Sequence, residues 1–163
     1  YFRDEMSWKN NKQLLVLLIE SVGKGGNLLL NVGPTARGTF DSRAQDRLKD
    51  MGSWMKVNGS SIYECTQAPD EFKAPEHSLL TYNPKIKHLY VHLLDWPMGQ
   101  IVLEGYADKV KYAQLLHDAS EVKMSIRKDS TYNSDPTRTN DLVLRLPMLK
   151  PDVEIPVVEL FLK

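Results

Sequence analysis

The run Gly25-Gly26-Asn27-Leu28-Leu29-Leu30-Asn31-Val32-Gly33-Pro34 restricts the fold more than any other segment, because it reads as a strand with two apolar faces. Side chains alternate along a strand with a period of two, so Leu28 and Leu30 point one way and Leu29 the other. Strands of this kind belong in a parallel sheet covered on both sides, or inside a barrel. Helical patterns at about residues 7–22 and 42–58 flank it, which predicts helix, strand, helix with no second parallel strand to pair with. At ~1.5–3 kcal/mol per fully buried aliphatic side chain, Leu28, Leu29, Leu30 and Val32 carry roughly 6–12 kcal/mol. A whole domain is typically stable by only ~5–15 kcal/mol. The chain also opens on Tyr1 rather than Met and enters its first helix with no strand before it. Together these features predict a segment of a larger fold.

The 163 residues hold 21 basic and 21 acidic side chains, so the net charge is zero. A balanced surface offers no electrostatic attraction to nucleic acid or to an anionic membrane. The longest apolar run, residues 14–19, is far short of the ~20 residues that span a bilayer. The lone Cys65 has no partner for an internal disulfide, which leaves the redox compartment open. Asn58-Gly59-Ser60 matches a glycosylation acceptor, but Asn-Gly after a helix also reads as a helix stop, with Gly supplying a left-handed conformation. The helix stop is the expected role.

Ser7 is the expected N-cap of the first helix, with Asp4 and Glu5 upstream at the positive end of its dipole. Trp8, Leu15, Leu18, Ile19 and Val22 then share a face, broadened by Leu14 and Leu17. Gly23, Gly25 and Gly26 end it. Gly23-Lys24-Gly25-Gly26 is not a phosphate loop, because such loops run from strand to helix and here the helix comes first. The second helix starts at the N-cap Asp41 and sets Ala44, Leu48, Met51 and Met55 on one face, widened by Trp54. This stripe reads as core rather than as a cofactor box. Between strand and second helix, residues 33–40 form a loop leaving the C-terminal end of the strand, the end that carries the active site in α/β barrels.

Residues 65–78 contain Pro69 and Pro75 without helical periodicity and read as a linker. Beyond it the period changes to two: Leu89, Val91 and Leu93 alternate with His88, Tyr90 and His92. Further short strands follow at Ile101-Val102 and at about residues 110–116, 122–126, 142–146 and 155–162. Turn residues separate them, as at Asn83-Pro84-Lys85, Pro97-Met98-Gly99 and Asn133-Ser134-Asp135-Pro136. Some seven short strands at this spacing predict an antiparallel sandwich with one solvated face per sheet. His88 and His92 share a strand face, but at ~3.4 Å per residue their Cα atoms lie roughly 13 Å apart, too far for one zinc ion. A solvated face is expected for them. His117, Asp118 and Ser120 have the residue types of a hydrolytic triad, yet their adjacency predicts a turn in which Asp and Ser bond their own backbone. Trp96 or Tyr106, if exposed, could stack on a sugar ring; core or interface is the usual place for aromatics at strand ends.

Several stretches together resemble one family. Tyr1-Phe2-Arg3-Asp4-Glu5, Ser7-Trp8-Lys9, the run from Gly25 to Pro34 with Arg37-Gly38, and Trp54-Met55-Lys56-Val57-Asn58-Gly59 with Ile62-Tyr63 resemble the end of the catalytic barrel of the glycoside hydrolase family 29 α-L-fucosidases. Tyr90-Val91-His92-Leu93, Val110-Lys111-Tyr112-Ala113-Gln114 and the stretch from Leu116 to Val122 are similar to the C-terminal β-sandwich of bacterial members.

The resemblance implies an α/β plus all-β chain: the last helix, strand and helix of a (β/α) barrel in residues 1–66, then an antiparallel β-sandwich in residues 67–163. It implies a retaining exo-glycosidase that removes terminal α-linked L-fucose from glycans or glycoconjugates, with the remainder of the barrel as the other partner of this segment. An Asp nucleophile and a Glu acid/base would stand ~5–5.5 Å apart. Both lie upstream of the family's Trp-Gly-Tyr motif, whose last residue Tyr1 resembles, so no catalytic residue is assigned in this chain. It should be inactive alone. The carboxylates that are present fit structural roles in the helices: Asp4 and Glu5 sit at a helix N-terminus, Asp41 is a cap, and Asp46 and Asp50 lie on a solvated helix face. Tyr1 and Asn31 are the residues placed at the border of the fucose pocket. The resemblance implies no metal and no cofactor, and a bacterial periplasmic or secreted enzyme is the expected setting. The competing reading is a non-catalytic carbohydrate-binding or interaction module in which the β-sandwich is the functional part. A third is an intact small protein that pairs its lone strand with another chain.

Overall fold

The computed structural model describes residues 7–127 and 140–163. Tyr1, Asp4 and Glu5, and the turn expected at residues 133–136, lie outside them.

Helix α1 runs Asn11–Gly23 and is capped by Asn10 rather than Ser7. Asn10 Oδ1 accepts from Gln13 N at 2.8 Å, and Gln13 Oε1 accepts from Asn10 N at 2.9 Å. This reciprocal box satisfies two backbone donors at once, and Ser7 has no Glu or Gln three residues on with which to match it. Trp8 therefore lies outside the helix, and the buried stripe is Leu14, Leu15, Ile19 and Val22. The glycines close the helix as expected: Gly25, at φ +75°, donates to Val22 O and Gly26 donates to Ser21 O, both at 2.8 Å. Those two bonds are a Schellman stop.

Helix α2 runs Ser42–Asn58, with the Asp41 side chain accepting from Arg43 N at 2.9 Å as its N-cap. Its buried residues are Ala44, Trp54 and Asn58, while Leu48 is exposed and Met51 and Met55 are half-buried. The expected stripe is thus only partly covered, because only the C-terminal turns of α2 meet the sheet. Gly59 is not left-handed: at φ −59° it continues the chain into a short 3-10 turn over Gly59–Ser61.

Residues 28–32 form no strand. They run between the helices without a ladder partner, Leu29 84% exposed and Leu30 at the surface. A strand is held by the edge it pairs with, and the described residues offer it none. The nearest pairing is the bridge between Pro34 and Phe40, which closes a small turn.

Among the described residues seven strands follow: β1 (Ser78–Asn83), β2 (His88–Leu93), β3 (Gln100–Leu103), β4 (Val110–Leu115), β5 (Lys123–Ile126), β6 (Leu142–Arg145) and β7 (Val157–Leu162). They make two antiparallel sheets, in the orders β1-β2-β7-β4 and β3-β6-β5. One core joins the sheets, with Leu89, Val91, Ala113, Val158 and Leu160 of the first against Leu103, Leu142 and Leu144 of the second. The stretch expected to be a linker is anchored at both ends: Thr66 exchanges backbone hydrogen bonds with Tyr82, and Phe72 packs edge-on to Tyr106 at 5.0 Å.

The first sheet departs from the expectation of one solvated face. Its outer side chains Tyr90 and Val157 pack with Leu15, Ile19 and Val22 of α1, Trp54 of α2, Ile62 and Ile155, and His92 lies beside Trp54. Amphipathic helices must bury their stripe somewhere, and this face receives it.

Contact at that layer is close. A Cβ on Gly23 would lie 2.5 Å from the backbone oxygen of Leu80 in β1, whereas one on Gly52 in α2 meets nothing within 4 Å. Gly23→Ala is expected to cost about 1–3 kcal/mol by forcing helix and strand apart, although Ala is the better helix former. Gly52→Ala should instead stabilise by roughly 0.5–1 kcal/mol. Urea denaturation of both variants reads the difference; two changes of the same sign would show that the close approach at Gly23 is not held.

Candidate functional site

Asn31 is exposed and lines a cleft of about 430 Å³ together with Trp8, Lys9, Leu30 and Arg47. The frame is built by α2 and the segment ahead of α1. The Arg43 guanidinium stacks 4.4 Å from the Trp8 ring centroid and is held by Asp41, Nε to Oδ1 at 2.9 Å. One turn on, Arg47 Nε donates to Lys9 O at 3.1 Å. Residues 7–9 are thereby strapped to the start of α2. The loop beyond Asn31 is closed by Thr35 N donating to Thr39 O at 2.7 Å and by Gly38, at φ +76°, donating to Thr35 O at 2.9 Å.

The cleft offers an amide, which both donates and accepts, and an arginine that only donates. Among the described residues no carboxylate lines it. Asp41 is the cap of α2, and Asp46 and Asp50 are exposed on that helix. This set, with Lys9 beside it, can hold a polar ligand but supplies no carboxylate to it. Tyr1 falls outside the described residues, so Asn31 alone of the two expected pocket residues is located.

His88 and His92 do not lie on a solvated face. His92 is fully buried, 6.2 Å from the Trp54 ring, and burial lowers its pKa to about 3. The Thr81 hydroxyl donates to Ser61 O at 2.6 Å, which leaves its oxygen to accept from His92 Nε2 at 2.9 Å. A neutral ring with the proton on Nε2 satisfies that geometry. His88 Nδ1 lies 2.7 Å from Glu159 Oε1, and Gln114 Nε2 donates to Glu159 Oε2 at 2.7 Å, so the buried carboxylate is bonded on both oxygens. His92 lies under the helical layer, against Trp54 of α2, whereas His88 and Glu159 are enclosed by sheet neighbours, Phe161 at 4.1 Å from the His88 ring and Gln114 on the carboxylate. Alternation in β2 showed that they share a face; nothing local to β2 showed that the face is covered.

The turn at His117 behaves as expected. Ser120 donates to Asp118 Oδ1 from N at 3.0 Å and from Oγ at 2.7 Å. Desolvation works to raise the Asp118 carboxyl, but the hydrogen bonds from Ser120 outweigh it and hold the group low. The serine points to the aspartate and not to the imidazole, so no relay exists. Tyr106 is buried with its hydroxyl donating to Lys73 O at 2.9 Å and is not available to a sugar. Trp96 remains half-buried at the surface. Asn58 is also fully buried, its Nδ2 donating to Trp54 O at 3.3 Å, so the folded chain does not present the acceptor amide of Asn58-Gly59-Ser60. Burial pushes the Cys65 thiol up to about 12, which keeps it an unreactive thiol.

Comparison with known proteins places this arrangement. Residues 1–60 match the family model of the α-L-fucosidases. The chain is 35% identical over 147 residues to human plasma α-L-fucosidase and 32% identical over 154 residues to bovine tissue α-L-fucosidase. It spans 28% and 31% of the length of those two relatives. Its fold superposes along its whole length on α-L-fucosidase isoenzyme 1 from Paenibacillus thiaminolyticus, with a TM-score of 0.85 and 35% identity, covering 37% of that chain. The mixture of helices with antiparallel sheet matches the C-terminal domains of fucosidases. A glycoside hydrolase is the class these matches define. The chain belongs to the family 29 α-L-fucosidases, of which it spans about a third.

Proposed function

We propose that residues 1–66 are the closing helix, strand and helix of a (β/α) catalytic barrel and residues 67–163 its β-sandwich, in a protein that removes terminal α-linked L-fucose from glycans. The observation that carries this reading is the state of residues 28–32. They form an apolar run inside the segment matched to the family, with Leu29 84% exposed and no ladder partner among the described residues. Neighbouring barrel strands would cover both faces and complete its hydrogen bonds. In that barrel Asn31 lies at the C-terminal end of the run, on the rim where ligands bind. Asn31 would then border the fucose pocket, with Tyr1 beside it, and the Asp and Glu of a retaining mechanism would come from the rest of the barrel. The substrate partner is a fucosylated glycan; the structural partner is the remaining barrel.

Hydrolysis of an aryl α-L-fucoside tests this. The longer protein that carries this chain should turn it over and the 163-residue chain should not. In the longer protein Asn31→Ala should lower kcat/KM about 3–10-fold, the loss of one hydrogen bond worth ~0.5–1.5 kcal/mol. An unchanged kcat/KM removes Asn31 from the pocket. Turnover by the isolated chain that vanishes on replacing Asp46 or Asp50 would overturn the assignment of the catalytic pair to the rest of the barrel.

A further inference from the structure

A second cleft, of about 720 Å³, opens between residues 73–77 and the connection from β2 to β3. Its size is within the ~300–1,000 Å³ of small-ligand sites, and it shares no residue with the cleft at Asn31. Trp96 lines it with its indole N–H fixed on Pro147 O at 3.1 Å, and Met98 beside it is 89% exposed. Glu76 and Glu104 also line it. Neither makes a hydrogen bond or ion pair among the described residues, whereas Asp95 nearby is engaged by Lys12 at 3.3 Å and His77 at 3.4 Å.

We infer that this cleft is a second carbohydrate site, which takes the neutral body of a glycan against Trp96 and Met98. A pinned indole and an exposed thioether give an apolar shelf for the C–H face of a pyranose ring. The two unengaged carboxylates accept hydrogen bonds from its hydroxyls, bonds stronger than those between neutral groups. Glu76 and Glu104, the two carboxylates of the lining without a partner among the described residues, outnumber Lys73 and repel anionic sugars. An apolar protein surface would fit the shelf but would strip water from Glu76 and Glu104 without supplying donors. The choice of glycan rests on the fucosidase reading; the cleft and its chemistry do not.

The chain has three tryptophans, Trp8, Trp54 and Trp96, so three indole N–H signals report separately in a nitrogen-15 correlation spectrum. Titration of the full chain with 2′-fucosyllactose, lactose and 3′-sialyllactose should move the Trp96 signal saturably for the first two, with sialyllactose at least about threefold weaker. Met98→Ala removes an exposed side chain, leaves the core intact and should weaken binding about threefold. Trp96→Ala should abolish binding. A Trp96 signal that does not move, a response at Trp8 alone, tighter binding of sialyllactose, or a shift that follows protein concentration instead of sugar overturns the site. Because fucoside turnover is measured separately in the longer protein, a silent Trp96 leaves the fucosidase reading standing.

Discussion

Trp54→Ala is expected to destabilise the chain by about 3–5 kcal/mol, the usual cost of removing a large buried aromatic. Trp54 is 4% exposed, and it joins the helices to the first sheet by two kinds of contact. Its ring packs with Leu15, Ile19, Tyr90 and Val157, and its Nε1–H donates to Ile155 O at 2.9 Å. Truncation opens a cavity at the boundary between layers and strands a buried carbonyl. Trp54→Phe separates the terms, because it keeps most of the ring and loses only the N–H, and it should cost about 1–3 kcal/mol. Urea midpoints read both changes. A loss below about 1 kcal/mol for the alanine variant would mean that the helical layer is not held by this residue.

The second large effect is acid lability. His92 is neutral in the fold, its pKa lowered from an ordinary 6.5 to about 3 by burial. Between those values the unfolded chain binds the proton and the folded chain does not. Stability is therefore complete above pH 6.5 and falls as pH decreases toward 3. The slope approaches ~1.4 kcal/mol per pH unit, so a fall of about 2 kcal/mol is expected between pH 6.5 and 5. His92→Gln keeps a side chain able to bond Thr81 and isolates the contribution. Its urea midpoint should be nearly flat where the parent's declines; parallel curves would assign the lability to another group.

The helices show what kind of signal is readable locally. Asp41 and the glycines after α1 act within a few residues of themselves, by hydrogen bonds to backbone atoms of the same turn. Both ends form as their residue types predict. Ser7 and Asn10 are competing caps of similar quality, and the choice between them turns on the Gln13 side chain reaching back. The strand pattern of residues 88–93 is equally legible, since alternation is a property of the strand itself. His88 and His92 depart from expectation for another reason. Alternation states which residues share a face and is silent on what lies over it, so the polar His and Tyr positions read as solvated. Tyr106 is buried as is usual for aromatics at strand ends, packed against Phe72, and Asn31 is marked by its motif but not by any local chemistry.

Periodicity and capping were enough to establish two helices, a set of short antiparallel strands and a run of leucines too apolar to stand alone, because those properties depend on neighbours a few residues away. Assembly determined the rest: α1 and α2 pack on the outer face of the first sheet, which buries His92 against Trp54, while the Trp96 cleft stays open. Burial, and with it every shift that burial causes, depends on elements that meet in space although they are far apart in the chain. The leucine run marks the same boundary from the other side. Its two apolar faces are written in its own residues, whereas its pairing depends on strands that the described residues do not include.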